Sequence, residues 1–292
     1  MIALFGPTAS GKTAVAGVLR ELIGATVISA DSAALYEGLP VLTAAPPYPT
    51  ELVGVVPLSE EVSVGSYQRL AHAAIDRAVV PLVVGGTGLY FRAALAALEL
   101  PPPAAPGRRA HWQAEVERLG ASAAHSLLVE RDPAAAARVH PNDHKRLVRA
   151  LELAETGRSL APADDRLWTT EMRLPTSTFA LDVPLAELDR RIEERTHAMA
   201  SGGAQAEAEV AWRLPLSATA RKVLGLEEFA TLPVDQAVEA VAQATRRLAR
   251  YQRKWLRRMP GVTTLDGTRP VEELAHEIVA LGRAGQHLSR HR

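Results

Sequence analysis

Eight residues near the start of the chain constrain its fold more than any others. Gly6, Pro7, Thr8, Ala9, Ser10, Gly11, Lys12 and Thr13 follow the apolar run Met1–Phe5 and lead into an Ala- and Val-rich stretch of helical character. The pattern G-x-x-x-x-G-K-[ST] between a strand and a helix is that of a phosphate-binding loop. Its glycines let backbone N–H groups turn inward around an anion, and the helix N-terminus adds partial positive charge. Lys12 then neutralises phosphate, and the Thr13 hydroxyl is suited to ligate magnesium. A Gly-rich turn with an incidental lysine would not explain why both flanking patterns are present. The motif specifies a diphosphate without saying whether it belongs to a nucleotide.

Beyond the loop, apolar strand-like segments alternate with helical ones, which predicts an α/β fold with a parallel sheet flanked by helices. "ATVISA" at 25–30 reads as the second strand, "SYQRLAHAAIDRAV" at 66–79 as a helix and "PLVVGG" at 81–86 as the third strand, with a helix from about Leu89. "PPPAAPG" at 101–107 interrupts this pattern as a stiff connector. The expected organisation is therefore a catalytic core over 1–100 and 176–292, with a helical insertion over 108–160 and a loop at 161–175. Within the insertion, Asn142 is expected to cap a helix that carries Asp143 in its first turn. "TFALDV" at 178–183 and "VTTLD" at 262–266 read as further strands, and the final "RAGQHLSRHR" as a frayed basic tail.

At 292 residues and 47% hydrophobic content the chain can bury a sizeable core. It has no cysteine, which excludes disulfides, thiolate catalysis and zinc–thiolate sites. No signal-like segment and no run of about 18 apolar residues occurs, so a soluble, cytoplasmic protein is expected.

Two strand ends carry candidate chemistry. Asp31 and Ser32 follow the second strand, at the carboxyl edge where open α/β sheets bind ligands; an Asp before a Ser is equally a common turn or cap. Where most P-loop nucleotidases end a core strand in an Asp that holds magnesium, the third strand runs into Gly85, Gly86, Thr87, Gly88 and Leu89. Such an end admits something flat or bulky, with Thr87 able to hydrogen-bond it, or is simply a tight strand-to-helix turn.

The formal net charge is zero, so binding to nucleic acid must rest on local clusters. In "TRRLARYQRKWLRR", Arg246, Arg247, Arg250, Arg253, Lys254, Arg257 and Arg258 fall within an arc of about 140° on a helix. Leu248, Tyr251, Trp255 and Leu256 lie outside it and are expected to pack inward. Lys145, Arg146 and Arg149 form a shorter stripe. Charge runs are usually solvated faces, but those normally mix signs, and single-sign stripes beside a diphosphate loop favour a polyanionic partner, RNA above all.

Taken in order, "GPTASGKT", "ISADSAALY", "VGGTGLYFRAAL", "RVHPNDHKRLVRALE" and "ATRRLARYQRKWLRR" resemble the tRNA dimethylallyltransferase family (IPP transferases) over almost the whole chain. The resemblance implies transfer of a dimethylallyl group from dimethylallyl diphosphate to N6 of the adenosine just 3′ of the anticodon. It implies magnesium, no ATP, a monomer, and an insertion that grips the anticodon stem-loop. Residues 6–13 would bind the diphosphate, with Lys12 and Thr13 acting on it and Lys222 reaching it. Asp31 would accept the amine proton, and Thr87 would contact the target adenosine. The tRNA would touch Asp31, Ser32, Ala33, Ala34, Thr87 and Arg109; the segment Lys145, Arg146, Leu147, Val148 and Arg149; and Arg246, Arg247, Arg250 and Arg253. The chain departs from the family at Leu42–Pro46, at "ELVGVVP" over 51–57, and at Gly225, Leu226 and Glu227, where the family has a Gly-Tyr-Lys-like stretch. The competing readings are an ATP-dependent P-loop small-molecule kinase, a catalytically silent RNA-binding protein, and a relative that prenylates free adenine nucleotides.

Overall fold

The computed structural model describes residues 1–102, 105, 107–161 and 166–289. Contact density divides the chain into Met1–Ala97 with Arg166–Arg292, and Leu98–Asp165. Parts of both connectors, at 103, 104, 106 and 162–165, lie outside the described residues, as do 290–292 of the basic tail.

The larger unit is built on five parallel strands: β1 (Ile2–Phe5), β2 (Thr26–Ser29), β3 (Pro81–Gly85), β4 (Ser177–Asp182) and β5 (Val262–Asp266). Their order is β2-β3-β1-β4-β5. Registers such as Phe5 opposite Gly85 and Phe5 opposite Ala180 bring the carboxyl ends to one edge. The strands are short apolar runs because helices cover both faces. On one face α1 (Lys12–Ile23) and the C-terminal helix Val271–Ser289 enclose Leu4, Val15, Leu19, Leu82, Phe179 and Ile278. On the other, Phe5 meets Phe91 edge-on at 5.2 Å between ring centres. Phe91 belongs to α3 (Gly88–Leu95), which packs beside α2 (Val64–Arg77).

The smaller unit holds α4 (Arg108–Leu119), α5 (Ala121–Arg131), α6 (Pro133–Ala136) and α7 (His144–Ala154) around its own core, which includes Trp112, Val116, Leu128, Leu147 and Leu151. The cap of α7 is Asp143 rather than Asn142: the Asp143 carboxylate accepts from the Arg146 N–H at 3.1 Å, while the Asn142 N–H donates to His140 Nδ1. Burial of Leu147 and Val148 in this core leaves only their backbone for any ligand, contrary to a purely RNA-facing 145–149 segment.

The larger unit is completed by α8 (Leu185–Ser201), α9 (Ala204–Trp212), α10 (Leu226–Thr231) and α11 (Val234–Leu256). The C-terminal helix, α12, continues through Ser289, so most of the stretch read as a frayed tail is helical. The departures from the family pattern are built into this scaffold. The Glu207 carboxylate accepts from the Val41 and Leu42 N–H groups at 2.9 and 2.8 Å. Glu51 extends the sheet edge by exchanging backbone bonds with Val27 and Ser29, and Gly225 starts α10 with its N–H donating to Glu228.

Candidate active site

The phosphate loop lies at the end of the central strand β1, where the chain order of the sheet reverses, the usual ligand crevice of an open α/β sheet. Gly11 takes a left-handed backbone at φ 90° and no side chain caps α1, so the first N–H groups of that helix are left for a ligand. Ala9 also holds φ 63°, a conformation L residues rarely adopt. The Ser10 hydroxyl is buried without a hydrogen-bond partner. Lys12 Nζ donates to the Pro7 carbonyl at 2.6 Å, folding over its own loop. Burial pushes the Lys12 ammonium down to about 8; the negative charge of Asp31 opposes this, and the positive charge of Arg195 adds to it. The Thr13 hydroxyl is on the exposed first turn of α1, whose Thr13 carbonyl accepts from Tyr48 Oη at 2.6 Å.

Asp31 and Thr87 follow β2 and β3, so the strand order sets Thr87 between Asp31 and the loop. Asp31 Oδ1 accepts from the Ala33 N–H at 2.9 Å, the turn-capping role, and Oδ2 makes no hydrogen bond among the described residues. Thr87 Oγ1 accepts from the Ser32 N–H at 3.4 Å, tying the two strand ends together. Ala34 is buried in the core and contributes no exposed side chain. Below Asp31 the rings of Tyr67 and Tyr90 lie 4.4 Å apart, and Tyr67 Oη donates to the Ser29 carbonyl. Burial, with help from neighbouring charges including Asp31, pushes both phenols up, Tyr90 to about 12.

The flat group admitted by the glycine run is the chain's own. A Cβ on Gly88 would stand 2.1 Å from the Trp255 indole, and one on Gly86 would stand 2.6 Å from Gln252 Nε2. Both partners belong to α11, which thereby closes over the ends of β3 and β1. Gln252 is buried, and its Oε1 accepts from the Thr8 N–H at 2.7 Å, fixing the phosphate loop from outside. Sequence reasoning missed Gln252 because it stands in a run read for its charges.

Arg195 was missed as well. One turn before it on α8, Arg191 Nη1 reaches the Ala9 carbonyl at 3.5 Å. Arg195 Nε is buried without a hydrogen-bond partner. Burial lowers the affinity of its guanidinium for the proton while the charge of Asp31 holds the proton on. A half-buried guanidinium near Lys12, with no ion pair among the described residues, makes the loop more attractive to a polyanion. Nothing in its local sequence, "RRIEERT", separates it from ordinary surface arginines. Lys222, by contrast, is exposed on a one-turn 3-10 helix, and no hydrogen bond or ion pair joins it to the loop among the described residues.

The basic residues are arranged less simply than their stripes predict. Arg246 pairs with Glu193 at 3.0 Å, Arg250 with Asp189 at 3.2 Å and Arg253 with Asp182 at 3.0 Å. Thr245, Ala249, Gln252 and Leu256 form the buried face of α11, whereas Leu248 and Tyr251, expected inside, are 38% and 58% exposed. Thr245 and Ala249 are inside because α11 lies close against α8, while Gln252 faces the phosphate loop and the glycine run. In the smaller unit Arg109 and Arg149 both pair with the buried Glu152 carboxylate; of the rest of the 145–149 stripe, Lys145 and Arg146 are exposed, and Arg146 lies 3.7 Å from Asp143.

Residues 34–259 match the family model described as IPP transferase. The chain is 39% identical over 295 residues to the tRNA dimethylallyltransferase of Anaeromyxobacter dehalogenans, covering 96% of this chain and 97% of the relative. It is 39% identical over 308 residues to that of Kineococcus radiotolerans, covering 96% of each. Among solved structures it resembles the full-length tRNA isopentenylpyrophosphate transferase of Bacillus halodurans, with TM-score 0.69 and 27% identity over 99% of this chain and 98% of the other. A eukaryotic dimethylallyltransferase acting on tRNA shares the fold at TM-score 0.76 and 23% identity, over 91% of this chain and 73% of the other.

Proposed function

Since this chain belongs to the IPP transferase family, we propose that it transfers a dimethylallyl group from dimethylallyl diphosphate to tRNA, at N6 of the adenosine 3′-adjacent to the anticodon, releasing diphosphate. The observation that carries the reading is the adjacency of three strand ends. The loop of Lys12 follows β1, Thr87 follows β3 and Asp31 follows β2, on neighbouring strands. Adjacent strands are about 5 Å apart, so a reacting carbon above β3 lies within reach of an anion site on one side and a carboxylate on the other.

The chemistry divides between those sides. Breaking the allylic C–O bond builds positive charge on the isoprenoid and negative charge on the departing diphosphate. The N–H groups of the loop, Lys12 and Arg195 stabilise the leaving group. Diphosphate binding gives Lys12 an anionic partner, which favours its charged form and releases it from the Pro7 carbonyl. The exocyclic amine of adenine is a weak nucleophile because its lone pair is delocalised. Asp31 Oδ2, free of hydrogen bonds among the described residues, takes the proton as the C–N bond forms, an effect of about 10²–10⁴-fold. The target base must leave its stack, at a few kcal/mol, and the Thr87 hydroxyl offers it one fixed hydrogen-bonding group.

Magnesium fits the donor set here: the exposed Thr13 hydroxyl and diphosphate oxygens are hard ligands of the kind it prefers, with water completing its shell. Among the described residues no three His, Asp or Glu side chains gather as an alternative cage. Magnesium bound there would add charge stabilisation to the departing diphosphate. Likewise, no helix among the described residues is long and apolar enough to cross a membrane.

The test is to incubate the protein with dimethylallyl diphosphate, magnesium and unmodified tRNA, then to digest the RNA and analyse its nucleosides by mass spectrometry. N6-dimethylallyl adenosine at the position 3′ of the anticodon, formed without ATP, is the expected product. Unmodified RNA, or turnover that requires ATP, would overturn the reading.

A further inference from the structure

The cations of α11 fall into two ridges with different fates. At about 100° per residue, Arg246, Arg250 and Arg253 occupy one arc of about 60°, and every one of them is paired with an acid of α8 or β4. Arg247, Tyr251 and Lys254 occupy a second arc of about 60°, nearly opposite the buried face. Arg247 and Lys254 are exposed and make no ion pair among the described residues. Tyr251 stands between them, more than half exposed and with its hydroxyl unbonded among the described residues. One turn further on, Arg258 lies 4.0 Å over the Trp168 ring, which itself lies 4.9 Å from the Trp255 ring that fills the space above Gly88.

We propose that the ridge Arg247–Tyr251–Lys254, rather than the ridge of Arg246, Arg250 and Arg253, is the RNA-contacting surface of α11. The two cations lie along the phosphate backbone, and Tyr251 stacks on an unpaired nucleobase. Charge complementarity to phosphate and an exposed aromatic face coincide on this ridge alone of the two. The first ridge has spent its charge on carboxylates of its own chain, so a phosphate there would compete with Asp182, Asp189 and Glu193. The second ridge offers two uncompensated charges flanking a ring, the arrangement that binds single-stranded nucleic acid. A buried role for Tyr251 is excluded by its exposure. The inference rests on the tRNA reading above and names the part of α11 that touches the RNA.

The experiment measures equilibrium binding of unmodified tRNA against salt for the full chain and its variants, with melting curves for each. Arg247→Gln with Lys254→Gln should lower the slope of log affinity against log salt by about 1.5, as expected for two lost phosphate contacts. Arg246→Gln with Arg250→Gln should lower it by clearly less. Tyr251→Ala should weaken binding about tenfold with the slope unchanged, and Tyr251→Phe should bind as the parent does. Equal slope changes in the two double variants, or Tyr251→Ala binding within twofold of the parent, would overturn the inference. So would a loss in Tyr251→Phe matching that in Tyr251→Ala, since it would assign the contact to the hydroxyl. If the parent binds no tRNA at all, the functional reading falls together with this one, a result distinct from the others.

Discussion

Lys12 is expected to destabilise the folded protein, and the size of that effect follows from its surroundings. Burial brings its ammonium from 10.5 to about 8. At about 1.36 kcal/mol per unit, holding the charged form in the empty loop costs up to about 3 kcal/mol at pH 7. Water at its partly exposed side chain reduces this to about 1–2 kcal/mol. Between pH 8 and 10.5 the unfolded chain keeps a proton that native Lys12 has shed, so stability from this group rises with pH across that window. Lys12→Met keeps the aliphatic stem and removes the charge. Its urea midpoint at pH 7 should therefore exceed that of the parent, and the difference should shrink by more than half at pH 9.5. Adding diphosphate with magnesium should stabilise the parent and leave Lys12→Met nearly unmoved. A Lys12→Met protein less stable than the parent at pH 7, or an advantage independent of pH, would refute the reasoning, because the bond to Pro7 would then outweigh the burial of charge.

Gln252→Leu removes the acceptor of the Thr8 N–H. It should cost about 1–3 kcal/mol in unfolding experiments and raise the KM for dimethylallyl diphosphate more than that for tRNA. Gly88→Ala drives a methyl group into the Trp255 indole; a loss of about 1–3 kcal/mol, with quenched or shifted tryptophan fluorescence, is expected. Arg195→Leu removes a half-buried charge whose Nε has no hydrogen-bond partner. Thermal melting without ligand should stay level or improve, while diphosphate inhibition, measured as a competition constant, should weaken at least tenfold.

What was legible in the sequence was what is local. The phosphate loop declares itself because eight consecutive residues make the whole cradle, and β1 to β5 are legible because each is a short apolar run bounded by turn residues. Asp31 and Thr87 are legible as candidates because strand ends of a parallel sheet share one edge. Contacts that depend on distant segments were not visible. Gln252 meets Thr8 across 244 positions, and no pattern near either residue announces the pair. The basic stripe of α11 reads as uniform in the sequence because the acids that pair with three of its arginines belong to β4 and α8, and the periodicity puts large apolar residues on the inward face. The helix packs by Thr245, Ala249, Gln252 and Leu256 instead, so of the expected large residues Tyr251 and Leu248 lie outside. The cap of α7 moved by one position because Asn142 and Asp143 are both good caps and only the backbone turn at His140 decides between them. Arg195 had no signal at all, since an arginine in a charged helix is distinguished only by what surrounds it in space.

In the proposed reaction Asp31 removes the proton from the acceptor amine while the neighbouring loop holds the departing diphosphate. Single-turnover transfer by Asp31→Asn, followed at saturating donor and tRNA over a range of magnesium concentrations, tests it most directly. The amide keeps the shape of the side chain and its bond to the Ala33 N–H but cannot take the proton. The chemical step is expected to slow by about 10²-fold or more, with donor and tRNA affinities within a few-fold of the parent and no recovery at high magnesium. A rate near that of the parent, or one restored by added magnesium, would contradict it and assign Asp31 to the turn or to the metal instead.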